Sequence, residues 1–259
     1  KKTIILTGHT GFKGSWLAMW LSSLGAKVVG VALMPPTMPS HFEVANMAGI
    51  LDDHCLDIRD GEALKKLFFQ TQPDFVFHLA AQSLVRQAYT DPLKTYQTNV
   101  MGTLNLLEAL RVLEKPCNAV LITSDKCYEN VEWVWGYRET DALGGADPYS
   151  ASKGAAELVI RSHVKSFLPK SGSVRVAVGR AGNVIGGGDW ANDRIVPDCV
   201  RSWAKNKTAP LRNPKATRPW QHVLEPLSGY LKLASKLSQM PELHGETFNF
   251  GPPANHNHT

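Results

Sequence analysis

The sequence predicts an α/β fold: a doubly wound parallel sheet with a smaller C-terminal lobe. Three observations predict it. Short apolar runs alternate with amphipathic stretches from residue 3 to residue 179. A glycine-rich turn joins the first apolar run to the first amphipathic stretch. Beyond Gly182, Pro197, Pro210, Pro214, Pro219 and Pro226 break the chain into short pieces. Strands that alternate with helices pair in parallel, are covered on both faces and cross over right-handed.

Residues 3–7 are an apolar run short enough to be a buried strand. Residues 14–24 read as a helix, because Trp16, Leu17, Trp20, Leu21 and Leu24 fall on one stripe. Residues 27–33 form the second strand, 61–70 a helix, 74–79 a strand and 95–113 one long helix. Residues 118–123 form a strand, 148–167 a helix and 174–179 a strand. Residues 1–182 are expected to make the first domain. Residues 183–259 are expected to be mostly the second lobe, discontinuous with the first, with Gly186-Gly187-Gly188 a flexible loop.

The 259 residues hold 28 Lys plus Arg against 23 Asp plus Glu, a formal charge of +5, with 43% apolar and 20% charged residues. That composition excludes disorder, collagen and coiled coil. No apolar run reaches membrane-spanning length, and the first is too short for a signal peptide. The small basic surplus suits a nucleotide, and no basic run with interleaved aromatics points to nucleic acid. Cys55, Cys117, Cys127 and Cys199 have no metal-ligand spacing and read as buried thiols of a cytoplasmic protein, with no metal. The chain starts without Met and stops soon after an apolar segment, so it is expected to continue beyond the given ends.

Gly8, Gly11 and Gly14 give Gly-x-x-Gly-x-x-Gly between a strand and a helix. Such a turn bends tightly, lets backbone approach a pyrophosphate, and aims a helix N-terminus at it. The segment is therefore read as a Rossmann-like dinucleotide turn, with Thr10, Phe12 and Lys13 at the cofactor. The second strand ends Val31-Ala32-Leu33-Met34, without the carboxylate that grips an adenosine ribose, which leaves NAD and NADP both open. Asp57 and Ile58 are the candidates beside the adenine; an ordinary loop is the alternative for Asp57.

Tyr149 and Lys153 stand four apart, on one face of a helix. An ammonium there is expected to lower the Tyr pKa, so that the phenol takes a proton from a substrate hydroxyl while hydride leaves for a nicotinamide. Thr123-Ser124 at a strand end supplies a hydroxyl for the same substrate oxygen.

Together these residues resemble the extended short-chain dehydrogenase/reductase superfamily of nucleotide-sugar enzymes, from Thr3 to about Gly251. The resemblance implies cofactor contacts from Leu79, Ala80, Ala81, Gln82, Asn99 and Thr123, besides Tyr149 and Lys153. It implies a substrate diphosphate at Asn183, with Gln82 and Ser124 at the sugar. Arg194, Arg212 and Arg218 are the guanidinium candidates for phosphate, Arg218 through the run Arg218-Pro219-Trp220-Gln221-His222. Trp190 and Trp220 either stack on the base or pack the lobe.

The adjacent pair Asp125-Lys126 is similar to the 4,6-dehydratases of this superfamily that act on CDP-glucose, as are residues 7–17, 182–190 and 218–225. That resemblance implies NAD as cofactor and CDP-glucose as substrate. It further implies that Lys126 removes the carbon 5 proton as a neutral base, and that Asp125 protonates the carbon 6 leaving group as an acid. It implies a homodimer through a four-helix interface built from 95–113 and 148–167, where Ala151, Ala155 and Ala156 allow close approach or else face the sheet. An epimerase on the same scaffold and a non-catalytic dinucleotide sensor are the competing readings.

Overall fold

The computed structural model describes residues 1–211 and 213–253. Its elements in chain order are β1 (Thr3–Thr7), α1 (Phe12–Ser23), β2 (Lys27–Ala32), α2 (His41–Val44), β3 (Asp52–Cys55), α3 (Gly61–Thr71) and β4 (Phe75–His78). Then come α4 (Val85–Thr90), α5 (Pro92–Tyr96), α6 (Gly102–Leu110), β5 (Cys117–Ile122), α7 (Pro148–Phe167) and β6 (Val174–Ala181). The last are β7 (Val184–Ile185), α8 (Ile195–Trp203), β8 (Gln221–His222), α9 (Leu224–Gln239) and β9 (Thr247–Phe250).

Seven strands form one sheet in the order β3-β2-β1-β4-β5-β6-β9, with every pairing parallel. The strands are apolar because both faces are covered. Leu64, Phe68, Leu106, Leu110 and Ile160, from α3, α6 and α7, close one side over Ile5, Val76 and Leu121. Leu17, Leu21, Leu227 and Tyr230, from α1 and α9, close the other over Leu6, Phe77 and Val120. Strand order reverses between β1 and β4, and ligands of such sheets bind outside the carboxyl ends at that switch. The predicted fold class holds, and the strands read from apolar runs form within a residue or two of their expected ends.

Three features differ from the expectation. Strand β3, Asp-Asp-His-Cys, has no apolar run; it pairs with β2 at the sheet edge, where burial does not demand one. The helix expected over 95–113 is interrupted. Its axis passes from α5 through a π-helical turn, Gln97–Met101, into α6. A π turn inserts one residue and swings the side chains around it, and here it directs the buried Asn99 inward.

The third difference concerns residues 183–259. β7 pairs with β8 in a separate two-stranded sheet, and α8 lies between them in sequence. The chain then returns: α9 packs on β5 and β6, and β9 extends the main sheet beside β6. The excursion from the sheet thus spans residues 183–223. Among the described residues, no helix is long and apolar enough to cross a membrane, and no cluster of His, Cys, Asp and Glu has the makings of a metal site. Cys117 and Cys127 are buried as expected, whereas Cys55, on the edge strand, is exposed.

Candidate active site

The glycine turn lies directly after β1, at the switch point. Gly8 adopts φ +78°, and a Cβ there would meet the Ala80 nitrogen at 2.7 Å. A Cβ on Gly14 would fall 2.0 Å from the Gly8 carbonyl oxygen, so only glycine lets α1 start this close to the turn. Gly11 is the N-cap of α1, and no side chain caps that end. Backbone N–H groups of the first helical turn are thereby left for an anion. This cradle, which a Cβ would fill, fits a dinucleotide pyrophosphate. Thr10 Oγ1 donates to the Leu33 carbonyl at 2.9 Å, tying the turn to the end of β2. Lys13 is half-buried, and burial pushes its ammonium down to about 8 against the opposing pull of Asp125. Phe12 packs on the α1/α9 side of the sheet.

A buried relay braces the adjoining strand end. Ala80 N–H donates to Thr7 Oγ1 at 3.1 Å, and the Thr7 hydroxyl donates to His78 Nδ1 at 2.7 Å, since the other nitrogen of the neutral ring carries the proton that Thr103, itself donating onward, accepts. His78 Nε2–H then donates to Thr103 Oγ1 at 3.2 Å, and Thr103 donates to the Asn99 carbonyl at 2.7 Å. Burial pushes the His78 pKa down to about 3, with the Lys153 charge adding to the shift, so the ring is neutral as the relay requires. Asn99 clamps the next turn. Its Oδ1 accepts Gln82 N–H at 2.8 Å, and its Nδ2 donates to the Gln82 carbonyl at 3.0 Å and to Ser152 Oγ at 2.9 Å.

At the adenosine end, β2 finishes without an acid, as read from the sequence, and Leu33 and Met34 are exposed. A carboxylate on β3, Asp53, accepts the Nε2–H of buried His9 at 2.8 Å. The His9 ring fills the space over Gly30, where a Cβ would lie 2.7 Å from its Cγ. Asp57 is held by Arg59 at 2.6 and 2.9 Å, and that hydrogen bonding keeps its carboxyl below the usual range. Ile58 is buried against Gly102.

The catalytic candidates converge at the carboxyl end of β5. Asp147 caps α7 by accepting Tyr149 N–H at 2.9 Å and Ser150 N–H at 3.1 Å, and Pro148 sits in the first turn. That start fixes the orientation of Tyr149 and Lys153, both buried. Ser124 begins a short 3₁₀ turn, Asp125–Cys127; its Oγ accepts Lys126 N–H at 3.2 Å and donates to Asp125 Oδ1 at 3.0 Å. The Lys126 ammonium lies 6.0 Å from the centre of the Tyr149 ring.

Burial sets two pKa directions here. Asp125 is raised, because burial outweighs the Ser124 hydrogen bond and the charges of Lys126 and Lys13. The lobe contributes to that burial: a Cβ on Gly182 would lie 3.0 Å from Asp125 Oδ2 and 3.3 Å from Pro219 Cγ. The sequence placed Asp125 beside a cation that should lower it; the enclosure reverses the sign. Tyr149 is pushed up to about 12 by burial, with the neighbouring Ser124 hydroxyl opposing the rise. The expected lowering of the phenol is therefore not found, and Lys153, itself pushed down to about 8 by burial with Glu157 opposing, does not reverse it.

Other expected contacts divide. Gln82 turns its side chain onto its own loop: Nε2 donates to the Leu84 carbonyl at 3.1 Å and Thr95 Oγ1 at 2.9 Å, and Oε1 accepts Leu84 N–H. Leu79, Ala80 and Ala81 are half-buried at the mouth of the same crevice. Arg194 donates to Asp189 at 2.9 Å, and its charge is felt by both Tyr149 and Lys13. Arg218 is exposed and donates to the neighbouring Thr217 carbonyl, while Pro219 beside it lies at the Gly182 turn. The carbonyl of half-buried Asn183 accepts Gln221 N–H at 3.3 Å; Arg212 lies outside the described residues.

The sequence reading passed over Glu157 and Tyr128. Thr123 Oγ1 donates to Glu157, which forms a buried two-pronged pair with Arg180, at 2.9 Å to each oxygen. Arg180 also donates to Tyr128 OH at 2.6 Å. An acid one turn beyond Lys153 on the same helix face was the available signal.

The sequence pattern of the family described as GDP-mannose 4,6 dehydratase matches residues 5–250. The chain is 52% identical over 255 residues to the CDP-glucose 4,6-dehydratase of Salmonella typhimurium, spanning 97% of this chain and 71% of that protein. It is 26% identical to the CDP-paratose 2-epimerase of Salmonella typhi, over 96% of this chain and 78% of that one. Among solved structures, it matches dTDP-glucose 4,6-dehydratase of Bacillus anthracis in complex with NAD at a TM-score of 0.81 and 23% identity. That match covers 100% of this chain and 77% of the other, and at such identity it shows the fold.

Proposed function

We propose that this chain, which belongs to the GDP-mannose 4,6 dehydratase family, is an NAD-dependent lyase that converts CDP-glucose to CDP-4-keto-6-deoxyglucose. The observation that carries the reading is the juxtaposition of a raised Asp125 with Ser124, Lys126 and Tyr149. The glycine cradle at residues 8–14, with Thr10 and Lys13, holds the dinucleotide. NAD held there would supply the acceptor for the carbon 4 hydride and the donor of the same hydride to carbon 6.

The chain's own residues move the protons. Tyr149 takes the carbon 4 hydroxyl proton as a phenolate, a form that the positive charge of a bound nicotinamide would favour against the burial, and Ser124 hydrogen-bonds the same oxygen. A ketone at carbon 4 makes the carbon 5 proton acidic. Lys126, exposed to the crevice, removes it. Asp125, whose carboxyl burial raises toward the acid form, donates to the hydroxyl leaving carbon 6. An epimerase needs no acid and base at that place, and the adjacent Asp125-Lys126 favours elimination.

The experiment is turnover on a panel of glucose nucleotides with NAD or NADP, scored by the alkali-absorbing 4-keto-6-deoxy product. The reading predicts product from CDP-glucose with NAD, and product retained as a trace or less in Tyr149→Phe and Asp125→Asn. Full turnover by Asp125→Asn and Lys126→Ala together with loss in Tyr149→Phe overturns the elimination roles.

A homodimer belongs to the same reading. Tyr89, Leu93, Met101 and Leu158 are exposed along α4, α5, the π turn and α7, an apolar strip suited to a second copy. Leu158→Arg should then halve the mass found by light scattering. The buried thiols Cys117 and Cys127 suit a cytoplasmic enzyme.

A further inference from the structure

Glu157 and Arg180 are a buried ion pair whose contacts include Thr123, before Ser124, and Tyr128, after the Asp125–Cys127 turn. Their side chains are 3% and 4% exposed. Glu157 accepts from Thr123, the residue before Ser124, and stands one turn beyond Lys153 on α7. The Arg180 Nε and Nη2 donate to the two Glu157 oxygens. Its Nη1 donates to Tyr128 OH and, at 3.0 Å, to the Glu139 carbonyl. The guanidinium also lies 4.7 Å over the Tyr128 ring. Tyr128 closes the turn that carries Asp125 and Lys126, and its own hydroxyl donates to Asn249 Oδ1 of β9 at 2.7 Å.

We propose that Glu157 and Arg180 are positioning residues that lock the hydride-transfer pair Tyr149/Lys153 and the elimination pair Asp125/Lys126 into one register. The inference deepens the dehydratase reading and rests on its assignment of roles. Two physical arguments support it. First, a buried ion pair is a poor device for stability, since apolar residues of similar volume do as well or better; its retention here goes with geometry. Planar two-pronged pairing fixes both distance and orientation between α7 and β6, and the remaining donors fix the turn after β5. Second, Glu157 is the acid that opposes the burial of Lys153. The other groups acting on or near that ammonium are Cys127 from the turn, neutral His78 from β4 and cationic Lys13 from α1. Removing the Glu157 charge leaves Arg180 uncompensated beside them.

The test uses Glu157→Gln, which keeps the shape and removes the charge, and Tyr128→Phe, which keeps the ring and removes its hydrogen bonds. The Lys153 ammonium is titrated by nitrogen NMR without substrate, assigned through Lys153→Arg. In Glu157→Gln it should lose its proton about one pH unit lower than in the parent chain. With CDP-glucose and NAD, Tyr128→Phe should leave KM unchanged and slow elimination roughly tenfold to a hundredfold, so that reduced nicotinamide accumulates during turnover. An unchanged Lys153 titration, together with parental partitioning in Tyr128→Phe, overturns the proposal and leaves the pair a fold element. Should Glu157→Gln not fold, the double variant Glu157→Met/Arg180→Met replaces it, and parental Lys153 titration there is equally fatal. If the parent chain turns over no nucleotide sugar, the dehydratase reading fails by itself, and the Lys153 titration still decides whether Glu157 governs that ammonium.

Discussion

Asn99 holds the Gln82 backbone at both ends, accepting its N–H at 2.8 Å and donating to its carbonyl at 3.0 Å. The same amide donates to Ser152 on α7, whose hydroxyl donates on to the Tyr149 carbonyl at 2.7 Å. One side chain, aimed inward by a π turn, thus spaces the loop after β4 from α7.

Asn99→Ala removes three partners at once. The Gln82 amide and carbonyl lose their hydrogen bonds, which should cost about 2–4 kcal/mol. Urea unfolding measures that loss. Calorimetric titration with NAD should show weaker binding as well, since the loop at 79–82 is released.

Gly14→Ala forces a methyl group to within 2.0 Å of the Gly8 oxygen. Either α1 shifts away from the turn or the turn opens, and the expected cost is at least ~3 kcal/mol, with NAD binding lost. Gly187→Ala is the control. Nothing lies within 4 Å of a Cβ there, and its melting temperature and NAD affinity should match the parent.

His78 makes stability depend on acid. Its pKa is about 3 in the folded chain against 6.5 for a free histidine. Between those values the unfolded chain binds the proton and the folded chain does not, so stability is complete above pH 6.5 and falls as the pH drops toward 3. The slope is about 1.4 kcal/mol per pH unit, or about 2 kcal/mol lost by pH 5. Urea midpoints across that range should fall less steeply in His78→Gln than in the parent, although the variant is less stable throughout.

Thiol alkylation should resolve the cysteines by burial. Cys55 is exposed and should react first. Burial pushes the Cys127 thiol up to about 12 and raises Cys117 as well, so both should stay unmodified until the chain unfolds. Mass spectrometry of native and urea-treated samples reads the difference.

The glycine turn, the Ser124–Lys126 run and the Tyr149/Lys153 pair were legible because each is local: a few residues at fixed spacing carry the geometry. Strand β3 was not, because an edge strand has no need of an apolar signature. The break in the helix over 95–113 escaped for a different reason. The periodicity of α6 continues smoothly into the π turn, and only the tertiary demand of the Gln82 backbone turns Asn99 inward. The upward shift of the Asp125 carboxyl was illegible in principle. Adjacent Lys126 argues for a low pKa, and the burial that overrides it comes partly from Gly182, 57 residues further along the chain. The Glu157–Arg180 pair likewise joins residues 23 apart in sequence and has no motif of its own.

The contact between His9 and Gly30 bears on how such a chain diverges. Position 30 admits no side chain while an imidazole occupies the space above it, and position 9 sits inside the cofactor turn. A substitution at 30 is therefore harmful in this background and harmless in one where residue 9 is small. The order of inheritance is constrained: residue 9 must shrink before residue 30 can grow, and once residue 30 has grown the imidazole cannot return. Relatives that differ at one of the two positions should differ at both, and a single swap between them should fail where the paired swap succeeds.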